Sequence, residues 1–277
     1  MRKASGWDRL RLGPVMVMCL CALLLTGSPA GATLVTLTDA DSVVKIDTGN
    51  QQGVYSWTVD GTQQLKTQWF WYRVGDVGSE ASIDTLTLGS ETIGTSSLDV
   101  TYSGTGFTIQ IVFTLLGGSV GSQTSDLAET IKIHNTQTSG SLDFRFFQYA
   151  DFDLNGTPNN ETSMRVNANT VDQSDELYII QETVATPAPS HWEMALTTTT
   201  LDKLNDANPT TLSDISPAGP GNATWAFEWD KSISAGGTLL ISKDKNITTI
   251  IPEPLTMLGV FLGLGSVGAY IRRRRML

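Results

Sequence analysis

Cysteine is nearly missing from this chain of 277 residues, and its two copies, Cys19 and Cys21, both fall in the first 32. Beyond residue 32 no thiol remains. That excludes a disulfide framework, a thiolate metal site and a cysteine nucleophile from the body of the protein. Histidine is almost as scarce. His134 and His191 are the only two, without HExxH or other paired-ligand spacing, so a zinc site has little to start from. No G-x-S-x-G elbow, P-loop or G-x-G-x-x-G before a helix occurs. Positive charge is sparse as well. Residues 33–251 hold 10 Lys and Arg against 26 Asp and Glu, a net charge of −16. Such a surface repels nucleic acid, and it repels anionic lipid or polysaccharide unless divalent cations intervene.

The two most apolar runs lie at the two ends. At the start, Arg2, Lys3, Arg9 and Arg11 form a basic region, 15–25 is apolar, and Ala30-Gly31-Ala32 is an A-x-A cleavage site. Together these describe a secretory signal peptide over 1–32, cut after Ala32. Val17-Met18 ahead of Cys19 lacks the small residues of a lipobox, and no twin arginine precedes the apolar run, so the general secretory route is expected.

At the other end, Pro252-Glu253-Pro254 is followed by the uncharged run 255–271 and then by Arg272, Arg273, Arg274 and Arg275. The two prolines bar helix continuation and favour an extended tripeptide. As a helix, the 17 residues of 255–271 span roughly 25 Å at about 1.5 Å per residue, the short end for crossing a bilayer core of about 30 Å. Gly259 and Gly263 make a GxxxG pair, which permits close helix approach. Four guanidinium groups at the exit hold the C-terminus in the cytoplasm and leave everything before Pro252 outside.

This tail resembles the PEP-CTERM sorting signal in its Pro-Glu-Pro motif, hydrophobic helix and arginine-rich end. The resemblance covers only 252–277. It implies an exosortase, an integral-membrane cysteine transpeptidase of Gram-negative bacteria, as partner. It also implies the inner membrane as a temporary tether and a host that makes exopolysaccharide. The expected route is an exported, inner-membrane-tethered precursor that reaches the cell surface or the extracellular space after processing.

Residues 33–251 form the third unit, an extracytoplasmic domain. Strand-length segments alternating apolar and polar residues recur at 42–47, 53–59, 65–74, 83–88, 98–102, 107–116, 128–135, 142–154, 164–171, 177–183, 192–196, 224–230, 238–242 and 246–250. Gly, Asn, Asp and Ser separate them, with Asp60-Gly61 a strong hairpin signal. The segments 117–125 and 186–190 read as loops, 200–205 as a helical turn and 208–222 as irregular. This pattern predicts an all-β, antiparallel β-sandwich of jelly-roll-like form, accompanied by one C-terminal transmembrane helix. Trp69-Phe70-Trp71-Tyr72 places two large rings on each face of one strand, so that strand is expected to be covered on both sides.

One stretch suggests a ligand. Asp151-Phe152-Asp153-Leu154-Asn155-Gly156 matches the opening half of a calcium loop, where alternate oxygens and a glycine turn wrap a hard cation. Asp151, Asp153 and Asn155 are the candidate ligands. The twelfth position holds Thr162, with Glu161 one place early, and the plain alternative is a strand ending in an Asn155-Gly156 turn. No catalytic residue is nominated and no other cofactor is expected. Six tryptophans lie beyond the signal, and an exposed strip of them would point to sugar stacking. The body is expected to be structural or adhesive in a surface or exopolysaccharide matrix. A carbohydrate-binding module is the alternative, and a secreted hydrolase a more remote one.

Overall fold

The computed structural model describes residues 33–250. The signal peptide with Ala30 and Ala32, the Pro252-Glu253-Pro254 motif, the membrane segment 255–271 and Arg272 to Arg275 lie outside the described residues. Within them, no helix is long and apolar enough to cross a membrane.

Among the described residues, seventeen strands form two antiparallel sheets. The first sheet opens as a meander of β1 (Leu34–Asp39), β2 (Ser42–Asp47), β3 (Val54–Val59) and β4 (Thr62–Val74). It continues through β10 (Ser141–Phe152) and β16 (Ala223–Ser234) to β14 (His191–Leu196), with the short β5 (Ala81–Ser82) hung on β4. The second sheet runs in the spatial order β15 (Ala218–Gly221), β11 (Glu161–Asn167), β12 (Thr170–Ser174), β13 (Tyr178–Thr186), β17 (Thr238–Thr249), β9 (Ser125–Asn135), β8 (Phe107–Gly117), β7 (Ser97–Gly104) and β6 (Thr87–Ile93). One six-residue helix, α1 (Thr199–Leu204), lies between β14 and β15 in the chain. Sheets of eight and nine strands are twice the size of the two four-stranded sheets of a jelly roll.

Local chemistry explains the tight corners. Asp60 and Gly61 both take positive φ, 47° and 79°, the two-residue turn that suits the twist of the β3–β4 hairpin. Gly53 also sits at positive φ, and a Cβ there would collide with the Trp69 ring. The loop after β8 is tied down by acids from the first sheet. Asp60 accepts from the Gly121 and Gln123 amides at 2.7 and 2.9 Å, and Asp39 accepts from Gly117 at 2.8 Å. The Gly121 and Gln123 amides hold the Asp60 carboxyl below the usual range.

Aromatic rings fill the space between the sheets. Phe70 stacks on Phe146 at 5.4 Å, Tyr72 stacks on Phe144 at 5.9 Å, and Phe107 of the second sheet meets Phe144 edge-on at 5.0 Å. Such pairs contribute about 0.5–1.5 kcal/mol each beyond their burial. The far face of β4 and β10 is covered too, as the run of four aromatics predicts. Trp71 and Tyr149 are buried there. Trp71 donates to Asn205 Oδ1 at 3.1 Å, and the Tyr149 hydroxyl to the Thr197 carbonyl at 3.3 Å. Glu193 anchors that cover by accepting from Thr200 Oγ1 at 2.7 Å and Lys203 Nζ at 2.7 Å.

Several elements differ from the sequence reading. The segment 83–88 splits into a 3-10 turn (Ile83–Thr85) and the start of β6. The segment 164–171 straddles the turn between β11 and β12. The final two candidates merge into the single strand β17. Strand β1 lies outside every segment marked by the alternation, and β15 falls in the stretch read as irregular.

Candidate functional site

The calcium-like stretch closes β10, where the chain leaves the first sheet for the second. Asp151 is the last residue paired in register on both sides of β10. Leu154–Gly156 then forms a 3-10 turn with Asn155 in the left-handed region, φ 57° and ψ 22°. Asn and Gly are the residues that tolerate this conformation. The turn is tied to two neighbours. The Leu154 amide donates to Glu161 Oε1 at 2.6 Å, and the Asn155 amide donates to Gln64 Oε1 at 3.0 Å.

Asp151, Asp153 and Glu161 are thereby brought together, while Asn155 is tied by its backbone amide to Gln64 rather than to the acids. Asp151 is 2% exposed and Glu161 fully buried. Among the described residues, Lys66 on β4 supplies the cation, 3.1 Å from Asp151 Oδ2. Asp151 Oδ1, Asp153 Oδ1 and Glu161 Oε2 find no hydrogen-bond partner among the described residues. Burial pushes the Asp151 carboxyl up to about 6, against the pull of Lys66. It pushes Glu161 up to about 8, with the Leu154 amide opposing and Asp153 and Asp151 adding to the rise. Asp153 is raised for the same first reason.

The unsatisfied oxygens are the kind a hard cation takes. Six to eight oxygens are needed, and among the described residues no three His, Cys, Asp or Glu side chains converge as a metal shell requires. An ammonium group already lies against Asp151. What this group can do is hold a proton on Glu161 at neutral pH. Glu161 was visible in the sequence as an acid one position early. Lys66 and Gln64 were not, because only the β4–β10 register brings them alongside.

A second polar group lies on the outer side of the first sheet. Arg145 Nη1 donates to Glu228 Oε1 at 3.2 Å and to Asp230, and Nη2 donates to Asp76 at 2.8 Å. Glu228 is fully buried. Burial pushes its carboxyl up to about 7, with the Leu212 amide opposing and Asp230 adding. His191, at the start of β14, places Nδ1 3.0 Å from Asp214 Oδ2. An open cleft of about 210 Å³ beside Arg145 is lined by Gly75, Asp76, Asp143, Phe144 and Asp230. His134 lies on the other sheet, with its Nδ1 3.0 Å from the Gly237 carbonyl oxygen.

The tryptophans do not form an exposed strip. Trp57, Trp69, Trp71, Trp225 and Trp229 are buried to within 1%. Trp192 is half-buried, with the Arg165 guanidinium 3.2 Å above its ring.

No family model matches this sequence, and no curated protein matches it. Solved structures do. A bacterial glucoamylase complexed with acarbose aligns over 84% of this chain and 36% of its own, at 11% identity and a TM-score of 0.52. The glucoamylase likeness shows the fold alone. A family GH92 α-mannosidase from Bacteroides thetaiotaomicron aligns over 80% of this chain and 32% of its own, at 11% identity and a TM-score of 0.43. A polysaccharide lyase aligns over 79% and 33%, at 10% identity and a TM-score of 0.41. The chain thus spans about a third of the length of each of these enzymes.

Proposed function

We propose that this chain is an exported protein of the bacterial cell surface or exopolysaccharide matrix. A cleavable signal delivers it, the helix 255–271 holds it in the inner membrane with Arg272 to Arg275 inside, and an exosortase processes it at Pro252-Glu253-Pro254. The body is non-catalytic and serves as a structural or adhesive unit. The observation that carries this reading is the tail itself, in which motif, apolar run and arginine block stand in fixed order. The fold is compatible with it. The first strand starts at Leu34 and the last ends at Thr249, so the sandwich fills the span between the two sorting segments.

The test is the mass of the protein extracted from the cell surface, compared with a chain carrying Pro252→Ala, Glu253→Ala and Pro254→Ala. The wild type is expected to lack Arg272 to Arg275, and the variant to stay in the inner membrane at full length. A surface species still carrying the four arginines overturns the processing step.

Carbohydrate binding is a second reading for the body. It is favoured by the fold-level likeness to the glucoamylase and by the polar cleft at Arg145. With its tryptophans packed inside, the protein would recognise sugar hydroxyls through charged side chains rather than ring stacking. Titration of the body with the host's own polysaccharide separates the two readings. Loss of binding in Arg145→Ala would support the second, and absence of binding by the wild type would leave the first.

A further inference from the structure

Four ionisable side chains meet in the interior, outside both groups described above. Glu129 on β9, Glu182 on β13 and Lys243 and Lys245 on β17 all have fully buried side chains. Lys243 and Glu129 face each other directly in the β9–β17 register. The Lys243 Nζ contacts Glu129 Oε2 and lies 3.3 Å from Glu182 Oε1. Lys245 Nζ donates to the other oxygen, Glu129 Oε1, at 2.5 Å. The opposite sheet closes the group from above. Gln148 and Trp225 donate to Glu182 Oε2 at 2.6 and 3.1 Å, and the Phe70 ring centroid lies 5.2 Å from Lys243 Nζ.

The arrangement contains every part needed to condense an amine with a carboxyl group. Nucleophile and electrophile are held in contact, which supplies the proximity that such a reaction lacks in water. A second carboxylate touches the nucleophile and can carry its protons. A fixed ammonium sits on the oxygen where negative charge would collect. The surroundings are aromatic, so charged forms are penalised and water is kept away.

We propose that Lys243 and Glu129 become joined by an intramolecular isopeptide bond between Nζ and Cδ. The Lys243 ammonium gives a proton to Glu182, and the freed lone pair attacks Glu129 Cδ. Lys245 holds the charge that develops on Oε1. The C–N bond forms, the C–Oε2 bond breaks, and Oε2 leaves as water with the two protons lost from Nζ, relayed by Glu182. One ammonium and one carboxylate become one amide and one water, with no oxidant or cofactor. The pair left behind, Lys245 and Glu182, stands 4.0 Å apart and is itself neutral overall.

The two lysines are suited to different tasks. Burial pushes the Lys243 ammonium down to about 8 against the attraction of Glu129 and Glu182. For Lys245 the same burial is outweighed by Glu129 and Glu182, and its ammonium is held above the usual value. Lys243 is the one that can present a free amine. The bond would close a loop between positions 114 residues apart.

The inference stands apart from the proposed sorting route. It is tested by the mass of the full chain after complete denaturation, followed by proteolysis. The expected wild type is lighter than its sequence by one water, and one branched peptide carries both Glu129 and Lys243. The Glu182→Gln variant, shown to be folded by circular dichroism, is expected at full sequence mass. Wild-type protein at full mass with separate linear peptides overturns the proposal, whatever the variant does. A branch at Lys245, or a folded Glu182→Gln chain that is also lighter, overturns the assigned roles.

Discussion

Two buried acidic groups in this protein receive opposite treatment. Until it is joined to Lys243, Glu129 lies between two lysines, and although burial pushes its carboxyl up, Lys243 and Lys245 outweigh that and hold it below the usual range. Glu161 is equally buried, and there burial, with Asp153 and Asp151 adding to it and no lysine in contact to offset it, raises the carboxyl to about 8. Burial alone therefore does not decide whether a carboxylate stays charged here. The balance of charge within a few ångströms does. The interior group is matched two against two, whereas the group at the end of β10 sets three acids against the half-exposed Lys66.

The largest expected effect comes from unbalancing the matched group. Glu129→Leu leaves two ammonium groups facing only Glu182, and stripping one partner from a buried pair typically costs about 3–5 kcal/mol. Urea unfolding at pH 7 should show that loss. A change below about 1 kcal/mol, the range of exposed pairs, would mean the interior group is not dry.

The unmatched group is expected to act through pH. The folded-state value of Glu161, about 8, lies above that of an unfolded glutamate. Folded protein therefore binds more protons than unfolded protein between roughly pH 4.3 and that value. Stability should fall as pH rises through this window, by at most about 1.4 kcal/mol per unit for this one group. Glu161→Gln should flatten the slope. Before any bond to Lys243 forms, Glu129 has the opposite sign, because its lowered value makes a stabilising contribution that is present above the unfolded value and lost as pH falls through the folded one. A wild type whose stability rises steadily from pH 5 to pH 8 would break the contrast.

The smallest effect is expected at Lys66. Its side chain is half exposed, so Lys66→Ala should cost less than about 1 kcal/mol in denaturant. The same variant sharpens the question of calcium. With the ammonium present, millimolar calcium should leave the melting temperature where chelator leaves it. A calcium-dependent rise confined to Lys66→Ala would show that lysine and metal compete for one place, and a rise in the wild type would restore the sequence's calcium loop.

The legibility of the sequence followed the range of the interaction involved. Strands such as Phe107–Gly117 were visible because one face is buried and the other is not, which leaves an alternating record. Asp60-Gly61 announced its hairpin through backbone conformation alone. Strand β10 was harder to interpret. Phe147 and Tyr149 interrupt its polar face, and only the cover supplied by α1 and the following loop explains why they are there. The two halves of β17 looked separate because Lys243 and Lys245 stand where an alternating pattern calls for apolar residues. Their partners are 114 and 116 residues away in sequence. The candidate site was half visible for a similar reason. Asp151 and Asp153 are neighbours in sequence, whereas Lys66 reaches Asp151 only through sheet register.

Strand β17 is the last in the described chain, yet it does not lie at an edge. It is hydrogen-bonded along its length to β13 on one side and β9 on the other. A pull applied beyond Thr249, along the strand, would load both ladders at once in shear instead of unzipping them one bond at a time. A body anchored through that end would meet tension with its most resistant geometry.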